Sequence, residues 1–194
     1  MNPRPAFSRA ALAFIAILCG GMGFVESTAA VPAQSTALAA DALLFVRESA
    51  LAWLAMWVMV GAFRRTALIA RVMGVVMILL GAGVLAIAVG RLAYGSFPEP
   101  SSMAGFGAIA LAVQLTAGAL ALRYRQTPLS LSAVWRATRD VCAAHLAVIA
   151  AATSIYFIHT NIGDIAVGAA VAAAFMLNGL TMLVRGRLAG PAEG

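Results

Sequence analysis

Six apolar runs, each close to the length that crosses a bilayer, divide this chain of 194 residues. A membrane-spanning helix needs about 20 mostly apolar residues. Such runs lie at about 10–26, 36–63, 70–92, 101–122, 138–159 and 164–184. The segments between them are too short to separate one domain from another. The sequence therefore predicts an all-α fold, in which residues 1–194 form one polytopic membrane domain of six transmembrane helices in a bundle, with no C-terminal cytosolic domain.

The composition requires lipid as a component of the solvent. Hydrophobic residues make up 63% of the chain and charged residues only 10%, while a soluble domain has about 25% charged residues. All 13 basic residues are arginine, and the net charge is +6. These arginines lie at the ends of apolar runs and do not cluster on one face, so we expect the bilayer, and not nucleic acid, as the partner.

The arginines also predict the orientation. One alternating set of segments, comprising the N-terminus, the stretches after the second and fourth runs, and the C-terminus, holds Arg4, Arg9, Arg64, Arg65, Arg71, Arg123, Arg125, Arg136, Arg139, Arg185 and Arg187. The opposite set holds Arg91 alone, and Arg47 lies inside a run. By the positive-inside rule, both termini are cytoplasmic and Pro32, Phe97 and Asn161 lie outside. We expect the cytoplasmic (inner) membrane of a bacterium.

The N-terminal run has a second interpretation. Arg4 and Arg9 before an apolar stretch, with Ser27-Thr28-Ala29-Ala30 after it, are also typical of a signal peptide with a small-residue cleavage site. Cleavage would leave five helices and an outer N-terminus. The sequence leaves both alternatives open.

Small residues recur at the spacing of helix contacts. Gly74, Gly81 and Gly83 lie in the third run, and Gly168 and Ala172 lie in the sixth. Helices in lipid approach each other closely at such residues, so this pattern indicates packing sites on both helices.

Ionisable residues at membrane depth are the candidates for function, because each costs about 2.5–3.5 kcal/mol on insertion scales. They are Glu26, Asp41, Arg47, Glu48, Asp140, His145 and Asp164. Asp41, Leu44 and Glu48 share one helix face, which indicates a cation path. The alternative is a buried ion pair, in which Arg47 neutralises one of the acids. Asp140 and Asp164 stand at predicted helix starts, where carboxylates are favoured, and for Asp164 we prefer the structural role of an N-cap.

Motifs of enzymes do not occur in the sequence. It has no nucleophile elbow, no His-Glu-x-x-His, no Cys-x-x-Cys and no glycine-rich phosphate loop. We expect no enzymatic activity and no resident cofactor.

Four segments together carry a resemblance to a known family. They are Gly23–Glu26 followed by Ser35–Leu43, then Leu122–Arg125 with Ser132–Trp135, then Arg139–Val148, and last Ile162–Gly168. In order and content they resemble the membrane domain of the cation diffusion facilitators, over nearly the whole chain. The resemblance implies a dimeric exporter of zinc, cobalt, cadmium or a related divalent ion, driven by proton exchange.

The resemblance also implies where the metal ligands would lie, namely in two (His or Asp)-x-x-x-Asp pairs on the second and fifth helices. In this sequence the first pair falls on Leu44 and Glu48, and the second on Ala137 and Val141. Only Glu48 keeps a ligand type at a ligand position. Asp140 stands one residue before an expected aspartate.

Two hypotheses follow. In the first, the chain is a divergent transporter whose metal site has moved to Glu48 and His145, with Asp41 and Asp140 as further candidates and with the divalent cation, such as zinc, as substrate. His145 lies one turn beyond Val141 on the same face, so we expect it to share a cavity with Glu48, the side-chain tips within roughly 3–4 Å. In the second, the chain is a non-transporting membrane scaffold or regulatory protein with a lost site, which a fixed charge on Arg47 favours.

Overall fold

The apolar runs form six α-helices in the computed structural model, which describes residues 5–59, 66–123 and 128–188, with side chains described over 9–56, 68–123 and 138–184. The helices are α1 (Pro5–Ala29), α2 (Thr36–Met59), α3 (Thr66–Tyr94), α4 (Pro100–Arg123), α5 (Pro128–Ile158) and α6 (Ile162–Leu188). The predicted all-α bundle is confirmed over these residues. Helix α5 begins at Pro128, ten residues before the predicted start at 138. The predicted end of the second helix at 63 lies outside the described residues.

Local chemistry accounts for the helix ends. Ser35 caps α2, because its hydroxyl accepts a hydrogen bond from the backbone N–H of Leu38 at 3.0 Å. Gly95 follows α3 with a φ of 82°, the left-handed conformation that commonly ends a helix. Pro100 opens α4, where a missing N–H costs nothing. Beside it, the hydroxyls of Ser102 and Ser101 lower the pKa of the exposed Glu99 carboxyl from its ordinary value.

Helix α2 lies at the centre of the bundle and contacts the five other helices. Among the described residues, five segments are apolar and long enough to cross a membrane: Arg9–Ala29, Leu68–Tyr94, Pro100–Arg123, Thr138–Ile158 and Ile162–Val184. Helix α2 differs because it carries Asp41, Arg47 and Glu48. Its 24 residues span roughly 36 Å at 1.5 Å per residue, and the surrounding helices separate its charged face from lipid.

Glycines set the closest helix contact, between α3 and α6. A Cβ on Gly74 would lie 2.6 Å from the carbonyl oxygen of Gly179, and a Cβ on Gly179 would lie 2.7 Å from that of Gly74. Such close approach is typical of helix pairs in membranes. The prediction that Gly83 also packs is wrong, because a Cβ there would meet nothing within 4 Å. Gly83 points away from α6.

The three loops predicted to share one side of the membrane meet at one end of the bundle. The Phe97 N–H donates to Gln34 Oε1 at 3.1 Å, and the Glu99 N–H donates to the carbonyl oxygen of Ala33 at 3.0 Å. The Asn161 amide donates to Ser96 Oγ at 3.0 Å. Of the arginines that predict the opposite side, Arg4, Arg64, Arg65 and Arg125 lie outside the described residues, as do the side chains of Arg136, Arg185 and Arg187.

Candidate functional site

Three fully buried ionisable side chains from different helices lie together in the interior of the bundle, namely Glu26 on α1, Asp41 on α2 and His145 on α5. We call this group the buried centre. Each residue comes from a different helix, and the polar face of α2 brings them together. An ionisable group at this depth is either paired with another group or has a function. The hydrogen bonds of the buried centre distinguish these two roles.

Asp41 and His145 form the closest contact of the buried centre. The Asp41 Oδ2 and His145 Nδ1 atoms lie 2.7 Å apart. The ring of Phe45 stacks on the imidazole, with centroids 5.0 Å apart and planes 16° from parallel. A carboxylate in this position accepts the Nδ1–H and leaves Nε2 with its lone pair, which is the form of histidine that binds metal ions or protons.

Four atoms of the buried centre have no hydrogen-bond partner in the protein. They are both carboxyl oxygens of Glu26, Asp41 Oδ1 and His145 Nε2. The Glu26 and Asp41 carboxyl groups are close enough to share a hydrogen bond with each other when one of them carries a proton. Buried polar atoms normally have a hydrogen-bond partner. Four such atoms without one, in the same place, indicate that this group can bind protons, water or a cation.

Glu48 belongs to a different environment. It lines a cavity of about 490 Å³, which we call the Glu48 cavity, together with Arg47, Gln114, Thr138, Asp140 and Asn178. Neither Asp41 nor His145 lines this cavity. Arg47 Nη2 lies 3.8 Å from Glu48 Oε1, so the predicted pairing of Arg47 with an inward acid is confirmed. The Gln114 Nε2 donates to Glu48 Oε2 at 3.2 Å.

The expected Glu48–His145 bridge is not the arrangement found. His145 pairs with Asp41 across the α2–α5 interface, and Glu48 is held by Gln114 and Arg47. Leu44 and Val141, two positions at which the resemblance to cation diffusion facilitators implied ligands, belong to one buried apolar cluster. The side chain of Ala137, at a third such position, is outside the described residues.

Asp140 lies apart from the buried centre. Its side chain is 66% exposed and pairs with Arg139 at 2.8 Å, although it also lines the Glu48 cavity. Of the four predicted metal residues, the structure therefore brings Asp41 and His145 together and leaves Glu48 and Asp140 on the separate cavity. Among the described residues, no group of three or more His, Cys, Asp or Glu side chains is arranged to hold a metal ion.

Asp164 has the structural role that the sequence predicted, but for another helix. Its Oδ2 accepts the Thr36 N–H at 2.7 Å, and its Oδ1 accepts the Ala37 N–H at 3.0 Å and the Ser35 hydroxyl at 2.6 Å. The prediction that it caps its own helix is corrected, because Asp164 lies inside α6 and reaches across to the start of α2.

Sequence reasoning missed Gln114. It is a neutral amide within an apolar run, is 1% exposed, and contacts Glu48. The sequence does contain a signal for it, namely a glutamine in the middle of an apolar run. An amide within a membrane-spanning helix needs a hydrogen-bond partner, as a charged residue does.

The fold and these two polar groups define a class: a polytopic helical membrane protein with ionisable side chains enclosed in its bundle. Comparison with known protein families and with curated proteins gives no match.

Proposed function

We propose that this chain is a divergent cation diffusion facilitator-like transporter, which exchanges a divalent cation such as zinc for protons across the bacterial cytoplasmic membrane. Its termini are cytoplasmic and it acts as a homodimer. His145 is the ligand of the transported ion at Nε2, and Asp41 orients the ring. The observation that carries this proposal is the fully buried Asp41–His145 pair at 2.7 Å with Nε2 unpartnered.

Three features of the buried centre support cation exchange. An imidazole nitrogen and carboxylate oxygens are donors that suit zinc and related ions. Protonation of the same imidazole removes its lone pair, so proton and metal compete for one atom. Glu26 adds a carboxyl group whose two oxygens have no partner in the protein. His145 Nε2, with Glu26 as the candidate second ligand and with water as the remaining ligands, forms a weak site, which suits an ion that must be released.

The residues of the transported-ion site differ from those expected on sequence. His145, oriented by Asp41, takes the place of the Glu48–His145 bridge, and Glu26 replaces Glu48 as the candidate carboxylate ligand. The apolar Leu44 and Val141, packed in one cluster, occupy the positions at which the resemblance implies ligands. Along the bundle, the proposed ion therefore binds beyond Leu44 and Val141, toward Asp41 and away from Glu48.

The test uses the full chain reconstituted in liposomes that contain a pH-sensitive dye. A zinc gradient should produce zinc-dependent proton flux with the parent protein, and His145→Ala should abolish it. His159→Ala is the matched control, because the other histidine is exposed at the end of α5 and its loss should leave the flux unchanged. Absence of flux with zinc, cobalt and cadmium, or equal flux in His145→Ala, would refute the proposal.

A second candidate function, a non-transporting scaffold or regulatory protein, is favoured by one observation. Arg47 places a positive charge against Glu48, the one family ligand position that keeps a carboxylate. The same experiment separates the two candidates, because a scaffold shows neither proton flux nor His145-dependent metal binding.

A further inference from the structure

The contact between Arg47 and Glu48 is loose for an enclosed ion pair. The two side chains are only 15% and 16% exposed, and their nearest charged atoms lie 3.8 Å apart. Strong arginine–carboxylate pairs are shorter and commonly use two parallel hydrogen bonds. Arg47 Nε is buried and has no partner in the protein. The guanidinium thus neutralises Glu48 without binding it in a fixed geometry.

Gln114 supplies a second acceptor at the same place. Its Nε2 faces Glu48 Oε2, since two oxygens facing each other would repel. Its Oε1 therefore points away from that contact, is buried, and has no hydrogen-bond partner in the protein. Gln114 lines the Glu48 cavity. Glu48 and Gln114 thus bring a carboxylate and an amide oxygen to the wall of one cavity of about 490 Å³, and Gln114 Oε1 is the oxygen that no donor in the protein contacts.

We propose that Glu48 and Gln114 form an oxygen-donor cation site that is distinct from the buried centre, and that the guanidinium of Arg47, beside Glu48, keeps free cations out of it by its positive charge. Arg47 is then a specificity-determining residue, which keeps free divalent ions out of the Glu48 cavity. Oxygen donors without nitrogen or sulfur favour hard ions such as Mg²⁺ and Mn²⁺ over zinc. The inference does not rest on the proposed transport, because it concerns binding at other residues.

The test is a gain of Mn²⁺ binding by the purified full chain, followed through the electron paramagnetic resonance signal of free Mn²⁺. The parent should retain no Mn²⁺ through Glu48. Arg47→Gln should bind one Mn²⁺ per chain, with affinity raised at least about tenfold, because a positive charge about 4 Å away opposes a divalent ion even in bulk water. Arg9→Gln removes the same charge from an exposed position on α1 and should gain nothing.

Further variants assign the gained site. Adding Glu48→Gln or Gln114→Leu to Arg47→Gln should remove the bound Mn²⁺, and adding His145→Ala should leave it. Millimolar methylguanidinium should displace Mn²⁺ from Arg47→Gln, because it restores the missing positive charge beside Glu48. Arg47→Met, which keeps the apolar stem, replaces Arg47→Gln if the glutamine variant does not fold.

Several outcomes would overturn the inference. One is an unchanged Mn²⁺ affinity in both Arg47 variants, and another is Mn²⁺ bound through Glu48 in the parent. The inference also fails if the gained site survives Glu48→Gln or Gln114→Leu, if His145→Ala removes it, or if methylguanidinium does not displace the ion. Failure of zinc-driven proton flux with a successful Mn²⁺ gain would refute the proposed transport and leave the Arg47 site standing.

Discussion

At the scale of single residues, a carboxylate that accepts the Nδ1–H of a histidine fixes the tautomer and the orientation of the ring. Asp41 stands in this relation to His145, and the stacked ring of Phe45 restricts the imidazole from another side. The metal binding proposed for His145 then depends on a residue that need not touch the ion. Asp41 is a positioning residue, and His145 Nε2 is the atom that would bind.

We therefore expect Asp41→Asn to lower zinc affinity about 10–100-fold, the usual effect of losing such a partner of a histidine ligand. The asparagine is of similar size and can still accept the Nδ1–H, so the variant should fold. Isothermal titration calorimetry of the purified chain measures the change. Asp140→Asn removes the exposed acid that pairs with Arg139 and should leave the affinity as it is. Equal affinities in both variants would refute the role of Asp41.

The sequence identified Asp41 and His145 but paired His145 with the wrong acid. Asp41 and Glu48 share a face of α2 and lie about 10 Å apart along its axis, at 1.5 Å per residue. A histidine on α5 can reach only one of them. Which one depends on the axial shift between two helices, and that shift is set by how Leu44, Phe45 and Val141 pack in the apolar clusters around them. Periodicity along one chain segment contains no information on this shift.

At the scale of helices, the start of α2 is fixed by a residue that lies about 130 positions later. The first N–H groups of a helix have no partner within it. Asp164 accepts two of them, from Thr36 and Ala37, and a Cβ on Gly168 of α6 would lie 2.7 Å from Thr36. The cap depends on the close approach of α6 to α2, because the Asp164 carboxylate reaches the N–H groups at the start of α2 only when the two helices lie this near.

Asp164→Ala should accordingly destabilise the protein by about 1–3 kcal/mol for each buried N–H left without an acceptor. The free energy of unfolding in mixed detergent micelles measures this. Asp140→Ala is the matched control, since its exposed pair with Arg139 is of a kind that contributes about 0–1 kcal/mol. A loss no larger for Asp164→Ala than for Asp140→Ala would contradict the cap.

The glycine contact between α3 and α6 gives another prediction for a pair of helices. Gly74→Ala places a methyl group against the backbone of Gly179, which cannot move aside as a flexible side chain would. We expect a loss of about 1–3 kcal/mol, as for other overpacked sites, and a lower thermal midpoint in detergent. Gly83→Ala, on the same helix with open space around it, should be neutral. A neutral Gly74→Ala would show that the two helices can separate at no cost.

Helix lengths show what apolar runs can predict. The run near 138–159 predicted the candidate membrane-spanning part of the fifth helix, but α5 begins earlier, at Pro128. Ser130, Ser132 and Arg136 interrupt the apolar run there, and hydropathy does not report the backbone hydrogen bonds that continue a helix through such residues. Gln114 was missed for a similar reason, because a single amide hardly changes the mean hydropathy of the apolar run in which it lies.

At the scale of the whole molecule, the contacts between loops support the topology predicted from arginine counts. The turn that contains Pro32, the loop that contains Phe97 and the turn at Asn161 meet at one end through hydrogen bonds of 3.0–3.1 Å. Six helices in sequence require these three connections to share a side. The arginine asymmetry predicts that this side is the outer one, because the segments opposite to these loops hold 11 of the 13 arginines.

Single cysteines test that orientation. Cys19 and Cys142 are free thiols, so both are first replaced by alanine. Cysteines at 32, 97 and 161 should react with an impermeant thiol reagent in whole cells, because Phe97 is 91% exposed and its neighbours lie in the same group of loops. Cysteines at 64, 125 and 187 should react only after the cells are opened, because the positive-inside rule keeps arginine-rich segments in the cytoplasm. Labelling at 125 without labelling at 97 would show that the topology is the inverse of the predicted one. Labelling at all six positions in intact cells would show that the reagent had crossed the membrane.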